Sequence, residues 1–173
     1  GGSYKITLGL SSDFGEERIR NTPISEAGII GTALGAALTG KRPIAEIMYI
    51  DFLTIAMDQI ANQAALIRYM SGGQLSAPMV IRCQGGAWRG SAAQHSKMLE
   101  SWFTHIPGVK MVVPSTPTDA YWLLRWAIED DNPVIFYEPN LLYNSSGELD
   151  LRRPPATLDR PVVRRAGTDV TLV

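Results

Sequence analysis

The run Thr22-Pro23-Ile24-Ser25-Glu26-Ala27-Gly28-Ile29-Ile30-Gly31-Thr32-Ala33-Leu34-Gly35-Ala36-Ala37-Leu38-Thr39-Gly40 decides how this chain is read. Pro23 and Ser25 are helix-entry residues, and Gly40 suits a C-terminal cap. The segment between them predicts a helix that carries glycine at 28, 31 and 35. Each interior glycine costs about 1 kcal/mol relative to alanine. A sequence carries that cost where a backbone or a ligand must approach closely. Glycines three and four apart share a face, so this face is expected to meet another helix or lie beside a ligand. Glu26 stands in the first turn, where the helix dipole favours a carboxylate. On that ground alone it is either a first-turn charge or a functional acid.

Working outward, strand-like and helix-like stretches alternate. Residues 4–14 read as a short helix or turn, and Arg18–Asn21 as a short strand leading into Glu26. Pro43–Met48 is apolar enough for a strand in a buried parallel sheet. Apolar residues at 53, 56, 57, 60, 64 and 67 predict a helix over 52–68, ended by Ser71-Gly72-Gly73. Pro78–Arg82 is a third strand, and Gln84–Gly90 a glycine-rich loop. Ser96–His105 reads as a helix, Val109–Val113 as a strand, Pro117–Glu129 as a helix and Val134–Tyr137 as a strand. This alternation predicts an α/β fold in three layers, a mostly parallel sheet with helices on both faces. Ligands of such sheets bind at the carboxyl ends of the strands. Glu26, Met48, the 85–90 loop and Glu138 are expected at that edge.

Composition narrows the classes. The 173 residues are enough for one domain with a real core, and the net charge of −1 argues for no nucleic-acid or anionic-membrane partner. No apolar run approaches the roughly 20 residues of a membrane span. The one cysteine, Cys83, sits in the apolar run Met79–Cys83, reads as a buried small residue and suits a reducing compartment. Two histidines and one cysteine give no zinc-finger spacing. The loop Gly85-Gly86-Ala87-Trp88-Arg89-Gly90 lacks the Gly-Lys-Ser/Thr of a phosphate-binding loop. No Gly-x-Ser-x-Gly elbow is present.

A set of motifs in order supplies what composition does not. Thr22-Pro-Ile-Ser-Glu26-Ala-Gly28, Arg42-Pro-Ile-Ala-Glu46-Ile-Met48, Asp58-Gln-Ile-Ala-Asn62, Tyr69-Met-Ser-Gly-Gly73, Ala93-Gln-His95-Ser96 and Ile106-Pro-Gly-Val-Lys-Met-Val-Val-Pro114 span most of the chain. Together they resemble the β subunit of the thiamine-diphosphate-dependent 2-oxoacid dehydrogenases, which act on pyruvate, branched-chain 2-oxoacids or acetoin. The part resembled is the transketolase-like pyrimidine-binding domain, here over residues 1–140. The family's N-terminal strand-helix unit is missing from the match. Residues 141–166, with Arg152-Arg153-Pro154-Pro155, read as a linker. Residues 167–173 read as the first strand of a truncated C-terminal domain. Gly1-Gly2-Ser3 matches a Gly-Gly step of the family and is expected to be native sequence.

The resemblance implies the following roles. Thiamine diphosphate reacts through a carbanion on its thiazolium ring, generated by its own aminopyrimidine in the imino form. Glu26 is implied as the carboxyl that relays the proton to that ring. Phe52 is implied to pack on the pyrimidine, and Met48 to give an apolar contact; both are ordinary core positions without that context. His95 is implied to face the thiazolium and the substrate, although a histidine there could also cap a helix. The Gly-Asp-Gly motif for the diphosphate and its magnesium is absent, as expected if an α subunit carries it. A potassium ion is implied at the end of the 117–129 helix, held mainly by carbonyls of Met79, Ala127, Asp130 and Asn132. The implied partners are an α subunit, a second β chain in an α2β2 heterotetramer, and a dihydrolipoyl acyltransferase core. The implied location is the cytoplasm, or the mitochondrial matrix in a eukaryote. Alternatives are a transketolase-like or deoxyxylulose-phosphate-synthase-like enzyme, and a non-catalytic interaction domain of the same fold.

Overall fold

The computed structural model describes residue 2, residues 4–152, residue 163 and residues 165–172. A short helix α1 (Leu10–Phe14) precedes α2 (Glu26–Leu38) and strand β1 (Ile44–Ile47). Then come α3 (Ile50–Leu53), α4 (Ile67–Met70), β2 (Val80–Gly85), α5 (Glu100–Thr104), β3 (Lys110–Val112), α6 (Pro117–Glu129) and β4 (Val134–Pro139). The four strands are all parallel, in the order β1-β2-β4-β3.

That order explains the layers. The steps β1 to β2 and β2 to β3 run in one direction across the sheet, and the step β3 to β4 runs back. Right-handed crossovers therefore put α6 on the opposite face from the other helices. The core divides accordingly. On one face Ile30, Leu34 and Ala37 of α2 pack with Leu53, Ile60 and Phe103 on Ala45, Ile47, Ile81, Cys83, Ile135 and Tyr137. On the other, Leu123, Leu124, Ala127 and Ile128 of α6 pack on Val80, Val112, Val134 and Phe136. Alternate residues of β2, β3 and β4 thus serve alternate cores, which is why these strands read as largely apolar runs.

Helix ends follow local chemistry. Ser25 precedes α2 in an extended conformation, and Gly40 adopts φ +89 just beyond its end. Thr116 caps α6 by accepting the Asp119 N–H at 3.1 Å, with Pro117 in the first turn.

Several expectations are corrected. Residues 18–21 form no strand; Ile19 N–H bonds back to the Gly15 carbonyl at 3.0 Å and Arg20 to Glu17 at 3.2 Å. A four-residue strand has little stability without a neighbour to pair with. The expected 52–68 helix is not uniform. It runs through α3, a 3-10 turn (Thr54–Ala56), a π-helical stretch (Asp58–Ala64) and α4. The π turns, sealed by Ala65 N–H on the Ile60 carbonyl at 3.0 Å, keep Leu53, Ala56, Ile60 and Ala64 all facing the sheet. The 96–105 helix shortens to α5, because the Lys97 N–H is used by Asp51 instead of a helical turn. On the glycine face of α2, Gly31 faces Gln59 of the π stretch, whereas a side-chain carbon at Gly35 would meet nothing within 4 Å of this chain, which leaves that end of the face open to a neighbour.

The body also continues past residue 140. A 3-10 turn, Asn140–Asn144, lets Tyr143 stack on Tyr4, with ring centroids 4.5 Å apart. Trp122 of α6 donates to the Asp150 carbonyl at 2.9 Å. Residues 153–162 and 164 of the expected linker, and Val173, lie outside the described residues. Residues 167–172 form no strand and are exposed, having no strand to pair with among the described residues. No helix of the described residues is long and apolar enough to cross a membrane.

Candidate functional site at the carboxyl edge of the sheet

Two constellations form at the carboxyl ends of β1, β2 and β4, one on each face. The first is aromatic. Where β1 ends, the chain turns through Met48 and Tyr49 into α3, which presents the half-buried Phe52 ring. The loop after β2 returns His95 to the same place. The His95 ring lies edge-to-face with Tyr49 at 4.8 Å and with Phe52 at 5.2 Å between centroids. Tyr49 and Phe52 are themselves edge-on at 6.1 Å. Such contacts fix ring orientation beyond simple apolar burial. Gly85 is needed here: a side-chain carbon on it would lie 2.7 Å from Ile50, 3.1 Å from the Tyr137 ring and 3.3 Å from the Lys97 carbonyl.

The second constellation is charged. Arg82 of β2 sits between Glu46 of β1 and Glu138 of β4. Its Nε and Nη2 donate to the two oxygens of Glu138 at 2.5 and 2.9 Å, and its Nη1 to Glu46 at 3.0 Å. Tyr143 O–H closes the network by donating to Glu138. Burial opposes the charge on Arg82, but Glu138, with help from Glu46, outweighs it and raises the guanidinium pKa. Burial, then the hydrogen bond and charge of Glu138, push the Tyr143 phenol up, so it stays protonated as the donor. A cavity of about 10 Å³, room for about one water, is lined here by Tyr4, Met48, Arg82 and Glu138 among others.

The residues singled out from the sequence fall as follows. Phe52 and His95 are brought into direct contact. Met48 follows β1 with its side chain 40% exposed, and its carbonyl accepts from Gln84 at 2.7 Å. Glu26 heads α2, whose body packs against the 3-10 and π stretches that continue from Phe52. Glu26 is half-buried, and its carboxylate makes no side-chain hydrogen bond or ion pair among the described residues. Cys83 is buried and free, and burial pushes its thiol pKa up, which suits a packing residue and not a nucleophile.

The expected cation site at the end of α6 already holds positive charge. Arg42 donates to the carbonyls of Ile128 and Asp130, both at 2.9 Å, and pairs with the Asp131 carboxylate. Lys110 pairs with Asp130. Asp130 also accepts from the Asn132 N–H and side-chain amide at 2.9 Å. The Met79 carbonyl accepts from Val134 N–H at 3.0 Å, and Ala127 is buried against the sheet. No group of three or more His, Cys, Asp or Glu side chains suited to a metal occurs among the described residues.

Tyr49, Asp51, Arg82 and Lys97 do not stand out in the sequence, and Glu138 stands out only by its place at the strand edge. The signal for the network was present: Glu46, Arg82 and Glu138 are single charges inside otherwise apolar strands, which demands paired partners.

Comparison with known proteins identifies the family and the fold. Residues 1–146 match the family model described as the transketolase pyrimidine-binding domain. The pyruvate dehydrogenase E1 component subunit beta of Gracilaria tenuistipitata var. liui is 49% identical over 173 residues, covering 100% of this chain and 54% of that protein. The acetoin:2,6-dichlorophenolindophenol oxidoreductase subunit beta of Bacillus subtilis (strain 168) is 48% identical over 172 residues, 99% of this chain and 50% of that protein. The chain thus spans about half the length of the curated relatives it matches. A solved split gene transketolase, an inactive beta4 tetramer, superposes with a TM-score of 0.65 at 20% identity. It covers 90% of this chain and 46% of that one, which shows the shared fold.

Proposed function

We propose, of a chain that belongs to the transketolase pyrimidine-binding domain family, that it supplies the β-subunit half of the active site in a thiamine-diphosphate-dependent 2-oxoacid dehydrogenase. The observation that carries the reading is the contact of Phe52 with His95 at the carboxyl edge, together with the unpaired carboxylate that heads α2. The cofactor would bring an acidic ring carbon that, once deprotonated, attacks a 2-oxo compound. Glu26 would hold and move a proton at the aminopyrimidine nitrogen, a task for which a partly exposed, unpaired carboxylate is fitted. Phe52 would pack on the ring, with Met48 beside it. His95, oriented by Tyr49 and Phe52, would face the substrate. The diphosphate and its magnesium would fall to an α subunit; no Gly-Asp-Gly motif occurs in residues 1–173. A second β chain and an acyltransferase core carrying lipoyl groups complete the proposed assembly. The relatives' names support pyruvate or acetoin as substrate; the proposed location is the cytoplasm, or the mitochondrial matrix in a eukaryote.

The test is co-expression with an α subunit from the same operon, followed by a decarboxylation assay across 2-oxoacids and acetoin. Glu26→Gln should keep the fold and lower turnover by roughly the 10²–10⁴-fold typical of lost acid-base catalysis. Hydrogen–deuterium exchange at the thiazolium carbon decides it: exchange as fast in the variant as in the parent refutes the role of Glu26. The potassium reading attaches to Met79, Ala127, Asp130 and Asn132, with Arg42 as a competitor for the same helix end. Equal melting temperatures in potassium and tetramethylammonium salts at matched ionic strength would remove it.

A further inference from the structure

We propose that Asp51 and Lys97 are positioning residues for His95: they clamp the loop that presents its imidazole to Tyr49 and Phe52. The clamp gains its meaning from the reading of His95 above, but its geometry stands apart from that reading.

Asp51 lies in the first turn of α3 with its side chain 2% exposed. Its Oδ1 accepts two hydrogen bonds from one residue, from Lys97 N–H at 3.3 Å and from Lys97 Nζ at 3.1 Å. The same Nζ donates to the Ala93 carbonyl at 2.8 Å. One ammonium therefore closes a ring across residues 93–97, and His95 is at the middle of that ring. The anchor and the ring surface come from the same short helix, since Asp51 lies between Tyr49 and Phe52 in sequence. Displacement between anchor and target is thereby kept small.

The loop requires such a tether. Residues 90–99 contain no helix or strand, and Gly90 and Ala92 both sit at φ +61. A positive φ at alanine is held only where its surroundings over-determine it. Asp51 Oδ2 has no hydrogen-bond partner among the described residues, so Lys97 is the cation that compensates the buried charge. In a low-dielectric setting that attraction is strong, and removing one member leaves an uncompensated charge. From sequence alone Lys97 is an ordinary surface cation next to Ser96.

His95 and His105 are the only histidines in the chain, which makes the test direct. With ¹³C-labelled histidine, ring cross-relaxation from His95 to Tyr49 and Phe52 is measured in the full chain, with the exposed His105 as reference. The parent should show both contacts. Lys97→Met should lose them, Asp51→Asn should weaken them, and Lys97→Arg, which keeps the charge and donors, should retain them. Lys97 is half exposed, so Lys97→Met should leave the backbone amide spectrum otherwise unchanged. Unaltered His95 contacts in Lys97→Met overturn the clamp. So does global unfolding of that variant, which would make the pair a fold determinant and not a positioning device. In the assembled enzyme Lys97→Met should lower kcat more than it raises KM, by up to the roughly 10²-fold expected of an ångström-scale misplacement. Displaced His95 with unchanged kcat would uphold the clamp and remove the catalytic role of His95.

Discussion

Replacing Arg82 by Met tests what holds the carboxyl edge together. Met matches much of the length of Arg but carries no charge. Arg82 is 10% exposed in its side chain, Glu138 15% and Glu46 29%. Without the guanidinium, the carboxylates of Glu46 and Glu138 are left on the two strands that flank β2, with Tyr143 as the remaining donor to Glu138. Breaking a buried ion pair by removing one partner costs about 3–5 kcal/mol. Glu46 can still turn to solvent, which places the expected loss near the lower end, about 3 kcal/mol. For a domain of this size that corresponds to a fall in Tm of roughly 6–12 °C. Urea unfolding followed by tryptophan fluorescence, alongside a thermal melt, measures it. The variant Arg82→Met/Glu46→Gln/Glu138→Gln should recover most of the loss, because a buried ion pair is worth little over a neutral replacement. Arg82→Lys should fall between, since an ammonium cannot make the forked contact to Glu138. A loss below about 1 kcal/mol for Arg82→Met, the range of exposed pairs, would refute the reasoning. So would a triple variant no more stable than the single one.

Three further outcomes are expected. Gly108 has φ +93, and a side-chain carbon on it would collide with the Ala65 carbonyl oxygen and lie 3.0 Å from its carbon. Gly108→Ala should lose about 2–5 kcal/mol from left-handed strain plus overpacking, read by urea unfolding, and a loss under 1 kcal/mol would contradict the close approach. At Asp130 burial alone would raise the pKa, but Lys110 and Asn132 outweigh it and hold the carboxyl below its usual value. A depressed folded pKa gives stability that is present above the unfolded value and lost as pH falls through the folded one. Asp130→Asn should therefore melt below the parent at neutral pH, and the two melts should converge below about pH 4; a gap that persists in acid contradicts this. Gly35→Leu meets open space in this chain, so its far-UV spectrum should be unchanged while co-purification with an α subunit is lost. Normal assembly would show that the glycine face of α2 is not a contact surface.

The sequence by itself determined the α/β class, the positions of the four strands that form the sheet and the two long helices. Buried parallel strands must be apolar on both faces, so Val80–Cys83 and Val134–Tyr137 announce themselves without reference to anything distant. Helix α6 was legible from Pro117 to Glu129 because its cap, Thr116 with Pro117, is local chemistry. The motif order also pointed to Glu26, Phe52 and His95, of which the structure brings Phe52 and His95 into contact. The tertiary structure alone decided how the segment after β1 switches from α to 3-10 to π, because that depends on keeping Leu53 through Ala64 against the sheet. It alone shortened α5, since Asp51 takes the Lys97 N–H that a longer helix would have used. It alone joined Glu46, Arg82 and Glu138, which are 36 and 56 residues apart along the chain. Strand register, set by the packing of two cores, fixes which charges meet, and no local pattern of residues encodes that register.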